Sequence, residues 1–102
     1  MKRMNVTYYE LTRSIHVQCV DGKYFEFVQL IRPFGFTERL QRLVYKFEWK
    51  KIGNRKYLTI EGLKTFITYL KNSASRKNGL FNKPITETII ERLSEINLIS
   101  HR

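Results

Sequence analysis

EWKKIGNRKYLTIEGLKTFI, residues 48–67, changes character at its centre. Trp49 and Ile52 on one side, and Tyr57 and Leu58 on the other, flank Gly53-Asn54, a pair suited to a tight turn, so the first half reads as two short strands. Lys50, Lys51, Arg55 and Lys56 make this hairpin cationic, with Arg55 and Lys56 expected at its tip. From Thr59, whose hydroxyl suits an N-cap, the period shifts. Ile60, Leu63, Phe66, Ile67 and Leu70 recur every three or four residues, the spacing of one buried helical stripe. A charged hairpin running straight into a helix implies a surface that its charge can meet.

Upstream, the β-prone Val6, Thr7, Tyr8 and Tyr9 predict a first strand over residues 5–11. Ile15, Val17 and Cys19 alternate with His16, Gln18 and Val20 as far as Asp21-Gly22, after which Tyr24, Phe25 and Phe27 resume the β pattern. Asp-Gly between two such runs signals a hairpin, because a type I′ turn needs positive φ at both central positions. Val28, Leu30 and Ile31 then predict a short helix that Pro33 and Gly35 interrupt. Thr37 caps a second predicted helix over residues 37–47, with Leu40, Leu43, Val44 and Phe47 on its apolar stripe. At about 100° per residue, Arg39, Arg42 and Lys46 share one flank of it, and Gln41 and Tyr45 lie on the far side.

Downstream, residues 72–79 (NSASRKNG) are polar and small and predict an exposed loop. The final helix, with Pro84 in its first turn, aligns Ile85, Ile89, Leu93 and Ile96 on one stripe and Glu87, Glu91 and Glu95 on another. Leu98 and Ile99 fall beyond the main stripe: either they pack against a second copy in a homodimer, or the helix merely closes the monomer's core. No internal repeat is visible.

The 102 residues, 42% hydrophobic and 14% aromatic, suffice for a single domain with one core. The formal charge is +10, a self-repulsion that an anionic partner relieves, and nucleic acid is the expected one. Residues 1–83 hold 17 Lys and Arg against 6 acids, whereas residues 84–102 hold Glu87, Glu91 and Glu95 against Arg92 and Arg102. The helix over residues 84–99 is therefore expected to turn its acidic face away from a polyanion. No apolar run approaches the ~20 residues of a membrane span, and the amino terminus lacks the apolar centre of a secretory signal, so a cytoplasmic protein without a membrane partner is expected. Cys19 is the single cysteine, which excludes an internal disulfide and leaves a cysteine-based zinc site short of ligands. Asp21, the single aspartate, is assigned to a turn, and His16 and Cys19, three apart on a strand, point to opposite faces. No enzyme, metal or cofactor is expected.

A short helix, a Pro-Phe-Gly turn, a basic amphipathic helix and a cationic hairpin follow the order of a helix-turn-helix and its wing. WKKIGNRKYLTIEGLKTF resembles the wing and following helix of winged-helix regulators, the likeness extending over residues 24–70. Strands rather than a helix ahead of the turn motif are a departure from that family. A second resemblance, over residues 15–70, is to the amino-terminal Bro-type domain of phage antirepressors: a strand, Asp21-Gly22, Tyr24-Phe25, a helix ending at Gly35-Phe36, and a strand running into Gly62-Leu63. The large carboxyl-terminal domain of antirepressors has no counterpart in these residues.

Both resemblances imply DNA binding, and the expected role is regulation of transcription or replication in a phage or mobile element. The implied fold is α+β and winged-helix-like: a small N-terminal β-hairpin or sheet, a helix-turn-helix, a β-hairpin wing and two C-terminal helices. On this reading nucleic acid, duplex DNA in the first instance, meets Arg32, Arg39, Gln41, Arg42, Tyr45, Lys46, Lys50, Lys51, Arg55 and Lys56. Arg42 and Gln41 would read bases, and Arg55 and Lys56 would touch phosphates. Duller alternatives stand beside it. Arg39, Arg42 and Lys46 also suit a merely solvated helix face, and Trp49 a residue that packs the hairpin. An exposed aromatic strand at Tyr24, Phe25 and Phe27 would suit single-stranded DNA or RNA. A protein-binding module or inhibitor would instead use an exposed apolar patch.

Overall fold

The Asp21-Gly22 turn forms as its sequence requires, with φ of 54° and 65°, and the Lys23 amide closes it onto the Val20 carbonyl at 3.0 Å. It joins β2 (His16–Val20) to β3 (Tyr24–Glu26), and β1 (Val6–Glu10) pairs with the other side of β2. The computed structural model describes residues 5–35, 37–74 and 83–100. The described residues form an α+β fold with a five-stranded antiparallel sheet and four α-helices.

β3 is three residues long and gives way to α1 (Phe27–Ile31). Beyond the last β2–β3 pair, Cys19 with Phe25, the Gln18 amide has no strand partner, and the Gln29 Oε1 of α1 accepts it at 2.5 Å. Phe27, expected to continue the β pattern, is instead a buried residue of this helix. A 3₁₀ turn, Arg32–Phe34, follows and ends at Gly35.

Thr37 caps α2 (Glu38–Gln41) as expected, its Oγ1 accepting from the Leu40 amide at 3.2 Å. The continuous helix predicted to residue 47 does not form. After Gln41 the backbone tightens into a 3₁₀ turn, Arg42–Lys46, and Phe47 is extended. Val44 and Tyr45 are weak helix formers, and the tighter winding still buries Leu43, Val44 and Phe47 with Leu40. The helix-turn-helix of the sequence reading thus comprises helices of five and four residues.

The hairpin forms as predicted, β4 (Trp49–Ile52) and β5 (Arg55–Leu58), with Gly53 at φ 61° in the first central position of the turn. It is not separate from the N-terminal strands. β5 pairs with β3, Phe25 opposite Leu58, so one sheet of order β1-β2-β3-β5-β4 takes in both hairpins.

Residues directly opposite in an antiparallel ladder share a face, so Tyr9, Val17, Cys19, Phe25 and Leu58 line one side of the sheet. That side is the core, covered by α1 and by α3 (Ile60–Ala74), which buries Leu63, Phe66, Ile67 and Leu70. Phe66 anchors an aromatic cluster, edge-on to Phe27 at 5.8 Å and to Phe47 at 5.4 Å. Truncating such a ring costs about 3–5 kcal/mol. α3 continues to Ala74, past Asn72 where the loop was expected to begin, and the remainder of that expected loop lies outside the described residues.

α4 (Lys83–Ser100) runs antiparallel to α3 and is fastened at two points. Asn97 Nδ2 donates to the Ile60 carbonyl at 3.3 Å, and Arg92 Nε to the Glu10 carbonyl at 2.6 Å. Ile89, Leu93 and Ile96 are buried as expected, but Ile85 is exposed and Thr86 is buried in its place. At ~100° per residue Ile85 lies roughly 60° from the centre of the buried arc, on the side away from Thr86.

Glu48, just ahead of β4, meets the start of α3. The Thr59 amide donates to the Glu48 carbonyl at 3.2 Å, the Thr59 hydroxyl donates to Glu48 Oε1 at 2.7 Å, and the Gly62 amide donates to that same hydroxyl at 3.1 Å. Gly62 is buried against the Glu48 backbone: a Cβ there would collide with the carbonyl oxygen and meet the carbonyl carbon and amide nitrogen at 3.1 and 3.3 Å. Gly→Ala inside a helix ordinarily stabilises by about 1 kcal/mol. Here overpacking against rigid backbone outweighs that gain, and Gly62→Ala should lower stability by about 1–3 kcal/mol in a urea titration. An unchanged or raised midpoint would contradict the contact.

Candidate nucleic-acid interface

The alternation of β5 divides the hairpin's charge. Tyr57 is paired with Glu26, and Leu58 with the core residue Phe25, so Arg55 lies on the outer face of the sheet and Lys56 on the inner one. The two residues expected together at the hairpin tip therefore point apart, and the tip itself is Gly53-Asn54. Lys51, opposite Lys56 in the ladder, shares its face.

Arg39, Arg42 and Lys46 do converge. With Glu38, Leu43 and Tyr69 of α3 they line an open groove of about 500 Å³. Arg42 Nη2 is 2.6 Å from Glu38 Oε1, an exposed pair worth no more than about 0.5 kcal/mol to the fold. It nevertheless offsets one of the groove's three cations. Gln41, expected to read bases beside Arg42, opens on another side, in a cleft of about 180 Å³ bordered by Glu26, Asn54, Arg55 and Lys56.

Tyr45 and Trp49 form an exposed corner where the 3₁₀ turn meets β4. Their rings stand nearly perpendicular, 82° apart with centroids 5.6 Å apart. The Lys56 ammonium lies over both, 5.7 Å from the Tyr45 centroid and 5.9 Å from that of Trp49. Trp49, opposite Leu58 in the ladder, packs against Tyr45 and the hairpin's Lys56 while remaining 37% exposed, and Tyr45 is 61% exposed.

The outer face is more closed than the sequence suggested. Phe25 and Phe27 are in the core, so of the expected aromatic strand only Tyr24 faces outward, with the Lys50 ammonium 5.0 Å from its ring centre. Tyr57 beside it is buried. Arg32 lines a separate groove with Glu26, Val28, Gln29 and Arg55.

Glu26, which the sequence reading passed over, has its carboxylate buried, with Arg55 Nη1 4.0 Å away. Burial pushes its pKa above the ordinary 4.5, and Arg55 opposes the rise. The sequence signal was an acid between two aromatics, Phe25-Glu26-Phe27, that both proved to be core residues.

His16 is exposed and Cys19 is buried on the opposite face, its thiol pKa raised by burial. Among the described residues no group of three His, Cys, Asp or Glu comes together, and no helix is long and apolar enough to cross a membrane. Glu87, Glu91 and Glu95 are exposed along α4, whose last turn exposes Leu98 (69%) and Ile99 (53%). The chain matches no protein-family model, no curated protein and no solved structure.

Because the raised Glu26 pKa means that the folded state holds this proton more tightly than the unfolded chain, the contribution is favourable below about pH 4.5 and is lost as pH rises through the folded value. Urea titrations across pH should show the wild type losing stability relative to Glu26→Gln as pH rises above that point. A difference independent of pH would contradict a buried, titrating carboxyl.

Proposed function

We propose that the chain is a small DNA-binding protein that engages the backbone of a duplex through the groove of Arg39, Arg42 and Lys46. The observation that carries this reading is the convergence of those three cations in one open groove whose single lining acid, Glu38, is already paired with Arg42. The Lys and Arg side chains would neutralise phosphates and release counterions, which supplies affinity without demanding a particular sequence. The chain order lends support. A strand, two short helices and a hairpin, with that strand beside the hairpin's second strand, resembles the arrangement of a winged helix. The exposed acids of α4 would sit away from the polyanion.

Two roles change from the sequence expectation. Arg42 and Gln41 do not form one reading pair, so Arg42 acts with Arg39 and Lys46 on phosphates. Arg55, beside the buried Glu26, has part of its charge committed within the fold. Binding of labelled duplex across a salt series tests the reading: affinity should fall steeply with salt, and Arg39→Ala or Lys46→Ala should each flatten the log–log slope by about one unit. Glu38→Gln, which removes an anion and releases Arg42, should bind more tightly than wild type at every salt concentration. Salt-independent binding, or none at low salt, would refute the proposal.

A further inference from the structure

We infer that the corner of Tyr45, Trp49 and Lys56 is a stacking site for an unpaired nucleobase, so that the preferred ligand is duplex DNA with a single-stranded segment beside it. The inference rests on the DNA-binding reading and narrows its substrate. A ring that only closes a core is buried, yet Tyr45 is 61% exposed and Trp49 37% exposed while the surrounding apolar residues Leu43, Val44 and Phe47 are at 7% or less. The two rings meet edge to face, which leaves ring surface open on Tyr45. Every base has a π-face, so an exposed ring takes an unpaired base whatever its sequence, whereas bases inside a duplex are already stacked on one another.

Charge and hydrogen bonding fit the same occupant. The Lys56 ammonium, held over both rings, sits where it can turn to the phosphate of an incoming nucleotide as the base takes the ring face. Lys56 also borders the cleft that Gln41 and Asn54 line, and their amides offer donors and acceptors to a base edge. Lys46, which lines the phosphate groove, is the chain neighbour of Tyr45, so the groove and the corner are carried by adjacent residues of one 3₁₀ turn. An apolar protein partner would leave the Lys56 and Lys51 charges buried and unpaired, and the nucleotide does not.

Trp49 is the only tryptophan, so its fluorescence reports this corner directly. The full chain should be titrated with a labelled blunt duplex and with the same duplex carrying a single-stranded tail, following both label anisotropy and Trp49 emission. The tailed duplex should bind about tenfold more tightly, and it alone should strongly quench Trp49. Tyr45→Ala should bring the tailed-to-blunt affinity ratio down to about one through a loss on the tailed duplex, and Tyr45→Phe should keep the ratio near tenfold; circular dichroism spectra of both variants should match wild type. Equal affinity for the two DNAs, without selective quenching, would overturn the stacking site and leave duplex binding intact. Equal losses on both DNAs in Tyr45→Ala would overturn it as well, and failure to bind either DNA would overturn the duplex reading and this inference together.

Discussion

The close approach of Gly62 to the backbone of Glu48 is the constraint around which the rest of the chain is arranged. Glu48 is where the chain enters the hairpin, and Thr59 is where it leaves for α3. Their backbone bond, at 3.2 Å, extends the β4–β5 ladder by one pair, while the Thr59 hydroxyl spans from the Glu48 carboxylate to the Gly62 amide. Only a residue without a Cβ lets the first turn of α3 lie that close. With α3 held there, Phe66 reaches Phe27 and Phe47, and Leu63, Phe66, Ile67 and Leu70 cover the inner face of the sheet. The same contact holds β4 at the sheet edge beside the 3₁₀ turn, which is what brings Trp49 to Tyr45.

A strand that alternates at every residue must divide whatever charge it carries. Arg55 and Lys56 are neighbours in sequence, but the first is committed to the outer face beside Glu26 and the second to the inner face over two aromatic rings. Lys51 and Lys56 face each other directly, an unfavourable pairing that the cation–π contacts of Lys56 offset. The cationic hairpin is therefore two surfaces. Its inner edge continues into the Tyr45 corner, and its outer face closes over a buried carboxylate.

A formal charge of +10 on 102 residues destabilises the compact state through repulsion, and the fold contains it by local pairing. Glu38 neutralises part of Arg42 within one helical turn, Glu95 meets Arg92 at 2.9 Å, and Glu26 is buried beside Arg55. Arg39 and Lys46 share the groove with Arg42, where an anionic partner would relieve the repulsion that the lone acid Glu38 leaves.

Much of the architecture was legible in the residues themselves, because it depends on local geometry. Asp21-Gly22 and Gly53 specify turns through positive φ, Thr37 and Thr59 cap through their own hydroxyls, and the period of Ile60 to Leu70 marks the buried stripe of α3. The shared flank of Arg39 and Arg42 was legible for the same reason, since helical spacing keeps them together, and the groove they line with Tyr69 takes in Lys46 as well. Tertiary structure alone decided the rest. That Phe27 leaves the strand for α1 and that Thr86 rather than Ile85 is buried follow from how neighbouring elements fill the core, which no local pattern encodes, whereas the tightening after Gln41 has a local part in the weak helix formers Val44 and Tyr45. The split between Gln41 and Arg42, the burial of Glu26 and the meeting of Tyr45 with Trp49 likewise depend on the pairing of β5 with β3. That pairing joins residues more than thirty positions apart, Phe25 with Leu58, and its register sets which face every hairpin side chain occupies.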